Sequence, residues 1–152
     1  MSGNGRVTNG WGYAVEGRPS TMLQVALRAA QRNGSPPQAL PEGNGDPCGW
    51  VRGVAECLRS GRCQTAVLFC GDAGLCCCVA NKVPGVRAAA VWTVTQAARA
   101  LRELGANLLV VEMAGRTYFE CKELLRLCCD GAAACPPGVA CVLQELDGHA
   151  HR

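Results

Sequence analysis

The chain has 152 residues, 49% of them hydrophobic and 18% charged, with a net charge of +3. That is the size and balance of one globular domain able to bury a core without cross-links or a metal. No apolar run reaches the ~18 residues of a membrane span, the first twenty residues lack a leader's apolar stretch, and no block of five basic residues marks a polyanion-binding surface. The expectation is a cytoplasmic protein with no membrane and no nucleic-acid partner. Of the 15 basic residues two are Lys, and Ile is absent; with so much Ala and Gly, this reads as coding bias rather than adaptation to a ligand. The 12 cysteines stand partly in blocks, Cys76-Cys77-Cys78 and Cys128-Cys129. Blocks suit buried helix faces better than spaced cross-links, so the thiols are expected to be reduced.

In chain order, a first strand is expected within Arg6–Val15. Ser20 caps a helix with Met22, Leu23, Ala26, Leu27 and Ala30 at helical spacing, stopping at Asn33-Gly34. The Pro- and Gly-rich stretch from Ser35 to Gly49 reads as a loop with a short edge strand near Gln38–Leu40. Val51, Val54, Ala55 and Leu58 make the next helical face, ended by Gly61. Thr65 to Cys70 is a continuous apolar run, as in a strand covered on both faces. Gly71-Asp72-Ala73-Gly74 breaks it, and Leu75 to Ala80 reads as a short helix. After a turn at 81–85 come a strand over Val86–Trp92, a helix capped by Thr93 or Thr95 and running to Leu104, and a buried strand over Asn107–Val111. A helix from Tyr118 to Cys129, an Ala/Pro loop at 131–138 and a short helix over Val139–Leu146 complete the chain.

The alternation implies a Rossmann-like α/β fold, a three-layer αβα sandwich with about five mostly parallel strands. The expected division is an irregular segment at 1–18, the αβα domain at 19–130, and a C-terminal loop, helix and tail at 131–152. Ligands in such sheets sit at the carboxyl ends of strands, which selects Cys70–Leu75 and Glu112–Arg116. Cys70 would end a strand just before a helix N-terminus, where the helix dipole favours the thiolate and free amides of residues 71–75 could hold an oxyanion. The alternative is a small buried hydrophobe at a strand end.

The run Cys70-Gly71-Asp72-Ala73-Gly74-Leu75 through Ala80-Asn81-Lys82-Val83-Pro84-Gly85-Val86-Arg87-Ala88-Ala89 resembles the core of the ribose-5-phosphate isomerase B / galactose-6-phosphate isomerase family. The family pattern there is C-G-T-G-x-G, five residues, then A-N-K-x-P-G-[IV]-R-A-A. Arg102-Glu103 and Ala106-Asn107-Leu108-Leu109 resemble a later family segment with one residue fewer. The resemblance covers roughly residues 50–130. A plant branch of the superfamily, the DNA-damage-repair/toleration type, is similar in its Cys-Pro segment (Cys135-Pro136) and short final helix.

The resemblance implies a dimer that interconverts aldose and ketose phosphates through an enediolate, without a cofactor or metal. It makes Cys70 the base that moves a proton between C1 and C2 and Gly71, Asp72, Ala73, Gly74 and Leu75 the anion-binding loop. Asn81, Lys82, Gly85, Arg87 and Asn107 are the other motif positions, with Lys82 and Arg87 as a possible basic rim. Several positions depart from the pattern. Asp72 replaces Thr or Ser and would repel phosphate and enediolate. Ala73 and Leu75 replace Gly and add a Cβ where backbone should approach a ligand. Leu104-Gly105 replaces a His-Asn pair, and Asn9-Gly10-Trp11-Gly12-Tyr13 shows no sign of the family's N-terminal Asp-His pair. His149 and His151 lie in the C-terminal tail.

The expectation is therefore a sugar-phosphate isomerase-family protein with activity weakened or lost. The alternative is a non-catalytic phosphosugar-binding protein or partner subunit, a homodimer or a hetero-oligomer with a paralogue. A redox-sensitive thiol protein is a third reading. No C-x₂-C pair supports a zinc site, and the Gly-x-Gly near residue 10 is not a dinucleotide fingerprint.

Overall fold

A computed structural model describes residues 10–149 except 33, 44, 132 and 133. The strands are β1 (Trp11–Val15), β2 (Gln38–Ala39), β3 (Thr65–Cys70), β4 (Ala88–Val91) and β5 (Leu108–Glu112). They form one parallel sheet in the order β2-β1-β3-β5-β4. The helices are α1 (Thr21–Arg32), α2 (Pro47–Arg59), α3 (Ala73–Ala80), α4 (Val94–Arg99, continued by a π-helical turn over Ala100–Leu104), α5 (Tyr118–Asp130) and α6 (Pro137–His149).

Helices α1 to α5 each start where a side chain accepts from their orphan amides. Ser20 accepts from Leu23, Asp46 from Cys48 and Gly49, and Thr93, not Thr95, from Gln96. Thr117 and Glu120 form a reciprocal capping box at α5. α4 ends in Gly105, whose φ of 64° is the left-handed conformation that a Cβ disfavours. The widened last turn was not legible in the spacing of Ala97, Leu101 and Leu104.

All six residues of β3 are buried, the reason its sequence shows no alternation of polar and apolar residues. Alternation persists in where the side chains pack. Ala66, Leu68 and Cys70 join Trp50, Val54, Leu58 and Cys76 of α2 and α3 on one face. Val67 and Phe69 join Leu23, Leu27, Leu101, Cys121, Leu124 and Leu125 on the other. Two cores therefore share one sheet, as expected for a three-layer sandwich. Truncating Phe69 to Ala would cost about 3–5 kcal/mol.

Several expected boundaries move, among them α6, which spans Pro137–His149 and so begins inside the stretch expected as a loop and outruns the expected helix over Val139–Leu146. β1 is confined, among the described residues, to the last half of the stretch proposed for it, and it pairs with both β2 and β3. β4 shrinks to four residues. α3 begins two residues early because Asp72 caps it. Asn9 and His151 lie outside the described residues.

All 12 cysteines are free thiols. Cys57, Cys63, Cys70, Cys76, Cys121 and Cys128 are buried within the two cores, where they pack as small hydrophobes. Burial disfavours the charged thiolate, so it pushes Cys63 up to about 11 and raises Cys76, Cys77, Cys121 and Cys128. Unfolded thiols release their protons near pH 8.5, while the folded chain retains them. Stability is therefore complete below about pH 8.5 and falls as pH rises toward 11. The urea midpoint should be lower at pH 10 than at pH 7.5, followed by circular dichroism under reducing conditions.

Candidate active site

β3 is the middle strand, and its carboxyl end places Cys70 beside Glu112, its register partner on β5. On the other side, Glu16 follows β1 and donates its amide to the Phe69 carbonyl at 2.9 Å. A cleft of about 290 Å³ opens here, lined by Val15, Glu16, Arg18, Leu23, Cys70 and Met113 among others. The site therefore lies where the chain leaves β1 toward one edge of the sheet and β3 toward the other, the switch point at which open α/β sheets bind ligands.

Cys70 reaches this place as a buried thiol that donates to the Val111 carbonyl at 3.6 Å. Its proton is held firmly. Burial raises the thiol well above its ordinary range, and the Cys76 thiol and the carboxylates of Glu16 and Glu112 add to the effect. The expected depression by the dipole of α3 does not prevail. The cause is that α3 has eight residues and its N-terminal charge is already met by Asp72, so burial and three acidic neighbours decide the balance.

The expected anion loop also differs from the sequence reading. Ala73, Gly74 and Leu75 form the first turn of α3 instead of an open loop. No described non-glycine residue has positive φ, so Ala73 and Leu75 are not strained there. What closes the cradle is charge. Leu75 donates its amide to Asp72 Oδ1 at 3.0 Å, and Ala73 donates to Glu112 Oε1 at 3.3 Å. Glu112 Oε2 accepts from the Trp92 indole N–H at 3.1 Å. A Cβ built on Gly71 would stand 3.6 Å from Glu16 Oε1. Three carboxylates thus border the loop.

The remaining motif residues lie at the opposite, amino end of the sheet. α3 runs away from Cys70, and Asn81 follows its last turn. Asn81 accepts from the Ala88 amide at 2.8 Å and donates to the Ala88 carbonyl at 2.9 Å, mimicking a neighbouring strand on the edge of β4. Asn107 accepts from the Arg87 amide at 2.7 Å and donates to the Gly85 carbonyl at 3.0 Å. Arg87 Nε donates to the Gly105 carbonyl, and the Gly85 amide donates to Asp147 of α6. Gly85 needs its φ of 81° for this turn. These bonds order the loop, and Lys82 projects from it exposed. Neither Lys82 nor Arg87 forms a basic rim for Cys70, because a full strand length separates them from it.

Sequence reasoning selected Cys70–Leu75 and the end of β5 correctly as one end of the sheet. It missed Glu16 because the first strand was weakly placed, so the comparison with an N-terminal acid fell on residues 9–13. The end of β1, two residues after Ala14, would have identified it. Trp92 carried no signal in the sequence beyond an isolated aromatic.

A parallel five-stranded αβα sandwich with a glycine-containing turn after its central strand belongs to the class of Rossmann-like α/β proteins, which bind ligands at the carboxyl ends of their strands. The family model for Ribose/Galactose Isomerase matches residues 48–126, and the chain belongs to that family. Among solved structures, type B ribose 5-phosphate isomerase of Trypanosoma cruzi is similar at 19% identity, with a TM-score of 0.75, covering 95% of this chain and 99% of that chain. The ribose 5-phosphate isomerase of Thermotoga maritima has a TM-score of 0.71 at 14% identity, over 91% of this chain and 97% of that one. That of Clostridium thermocellum has a TM-score of 0.71 at 18% identity, over 93% and 97%. A search of curated protein sequences returned no match. Among the described residues, no helix is long and apolar enough to cross a membrane and no cluster of three or more potential metal ligands forms.

Two outcomes test this division of the motif. Asn81→Ala should cost about 1–3 kcal/mol by urea denaturation, because the buried Ala88 amide and carbonyl lose their outer partner, and should leave the chemistry around Cys70 unchanged. Native iodoacetamide labelling at pH 8, read by peptide mass spectrometry, should modify the exposed Cys48, Cys78 and Cys141 and leave Cys70 unmodified until the chain is unfolded.

Proposed function

We propose that this family member has lost most or all aldose–ketose isomerisation of pentose and hexose phosphates. In the family reaction a base removes the proton from C2 of the open-chain aldose, an enediolate forms, and the proton returns at C1. Cys70 occupies the position of that base. The observation that carries the reading is the state of its thiol, which is buried, donating to Val111 and flanked by Glu16 and Glu112. A thiol that keeps its proton at neutral pH cannot accept another. A positioned base contributes roughly 10²–10⁴-fold, and each missing oxyanion donor about 10²–10³-fold. Ala73 and Leu75, two donors of the family cradle, have carboxylate acceptors within the chain.

The same domain, residues 19–130 with the strand that precedes it, supports a second reading as a partner subunit. One observation favours it. α6 leaves Val139, Val142 and Leu146 exposed at positions i, i+3 and i+7, an apolar stripe on one helical face. A second copy or a paralogue covering this stripe makes the protein a homodimer or a hetero-oligomer, and a paralogue would contribute the missing imidazole.

Turnover of ribose 5-phosphate, followed by NMR, tests the main reading. The wild-type rate should be within a few-fold of Cys70→Ala. A wild-type rate ~100-fold or more above the variant, the lower bound for a working base, would sink it.

A further inference from the structure

The turn that leads into the central strand holds two cysteines outside the isomerase motif. We infer that Cys57 and Cys63 are a peroxide-responsive thiol pair, joined by oxidation into a disulfide across the turn between α2 and β3. The pair lies at the amino end of β3, a full strand length from Cys70. The inference is therefore independent of the loss of isomerisation.

The turn is a Schellman motif, the common way a helix ends in a left-handed glycine. Gly61 has a φ of 78° and donates its amide to the Leu58 carbonyl at 3.2 Å. Arg62 donates its amide to the Cys57 carbonyl at 3.0 Å, and Cys63 donates to the same carbonyl at 3.4 Å. The chain thus folds back until Cys63 shares a backbone hydrogen bond with Cys57. Residues joined in this way lie within the ~4.4–6.8 Å Cα separation that a disulfide spans. Both side chains belong to the core that contains Val54 and Leu58. Burial, and next the neighbouring Cys57 sulfur, raise the Cys63 thiol to about 11.

The two sulfurs have unequal surroundings. Cys57 is 7% exposed and Cys63 is 1% exposed, so a small oxidant meets Cys57 first. Arg62, itself exposed, donates from Nη1 to Cys57 Sγ at 3.7 Å. A cation facing a sulfur favours the thiolate, which is the nucleophile. Cys57 is therefore the attacking thiol and Cys63 the resolving one. Cys70 and Cys76 also neighbour each other, but they are buried and face carboxylates instead.

Hydrogen peroxide and the pair balance the reaction between them. The Cys57 thiolate attacks one oxygen and the O–O bond breaks. The departing hydroxide takes the proton that Cys57 released and leaves as water, and Cys57 becomes a sulfenic acid. The Cys63 sulfur then attacks the Cys57 sulfur. An S–S bond forms, the S–O bond breaks, and the Cys63 proton leaves with that oxygen as a second water. The two thiols lose two electrons and the peroxide gains them. A resolving thiol this close ends the sequence before the sulfenic acid oxidises further. The new bond ties the last turn of α2 to the segment entering β3, beside Gln64, whose amide donates to the Gly10 carbonyl at 2.8 Å.

The test treats the reduced full chain with hydrogen peroxide at pH 7.5. Remaining thiols are then blocked with N-ethylmaleimide in denaturant, and non-reduced tryptic peptides are read by mass spectrometry. At partial oxidation the peptide pair linking Cys57 to Cys63 should be the predominant disulfide, and dithiothreitol should abolish it. In Cys63→Ser, dimedone should trap a sulfenic acid at Cys57. Arg62→Ala changes an exposed side chain and spares the core, and it should form the disulfide about tenfold more slowly. Disulfides among other cysteines while Cys57 and Cys63 remain blocked would overturn the inference. So would an unchanged rate in Arg62→Ala, or no dimedone adduct at Cys57 in folded Cys63→Ser.

Discussion

A helix that begins directly at the end of a buried strand leaves amide donors that must find acceptors. In this protein that requirement is met from within. Asp72 takes the Leu75 amide and Glu112 takes the Ala73 amide. Both carboxylates are held at the mouth of the central strand, and their charge controls everything near it. Glu112 helps keep the Cys70 proton in place, and the two charges together disfavour an oxyanion. In the family pattern the corresponding turn is glycine-rich and uncharged, so its donors point toward a ligand. Here the donors have acceptors inside the fold.

The family motif is one continuous stretch of sequence that serves two separate physical tasks. Its first part, Cys70 to Leu75, lies at the carboxyl end of the sheet. Its second part, Asn81 to Arg87, lies at the amino end, because α3 carries the chain from one end to the other. Asn81 and Asn107 use both halves of their side-chain amides on backbone groups of the loop and of β4. This arrangement explains why the second part matches the pattern so closely while the first diverges. Changing Asn81 would expose an edge strand and strand two backbone groups without partners, a cost to stability regardless of catalysis. Changing the residue at position 72 from a hydroxyl to a carboxylate still caps α3, so the fold tolerates it.

The cysteines follow the same separation of packing from chemistry. Their number is unusual, yet six are buried in the two cores, where a thiol is a compact apolar group and its acidity is suppressed by burial. Position alone therefore does not make a cysteine reactive. Cys70 has the location that catalysis would choose and the surroundings that oppose it.

Much of the architecture is legible in the chain itself. The apolar runs at 65–70 and 107–111, the caps Ser20 and Thr93, and the glycine at 105 are local signals whose causes act within a few residues, so periodicity and capping chemistry reveal them. The Cys70 turn is legible for the same reason, as a motif contiguous in sequence. What the sequence could not decide is which charges meet. Glu16, Asp72 and Glu112 are separated by 40 residues or more between successive pairs and are brought together only by the parallel pairing of β1, β3 and β5. The acidity of a thiol and the sign of a ligand site depend on those through-space neighbours, and they are set by the tertiary structure.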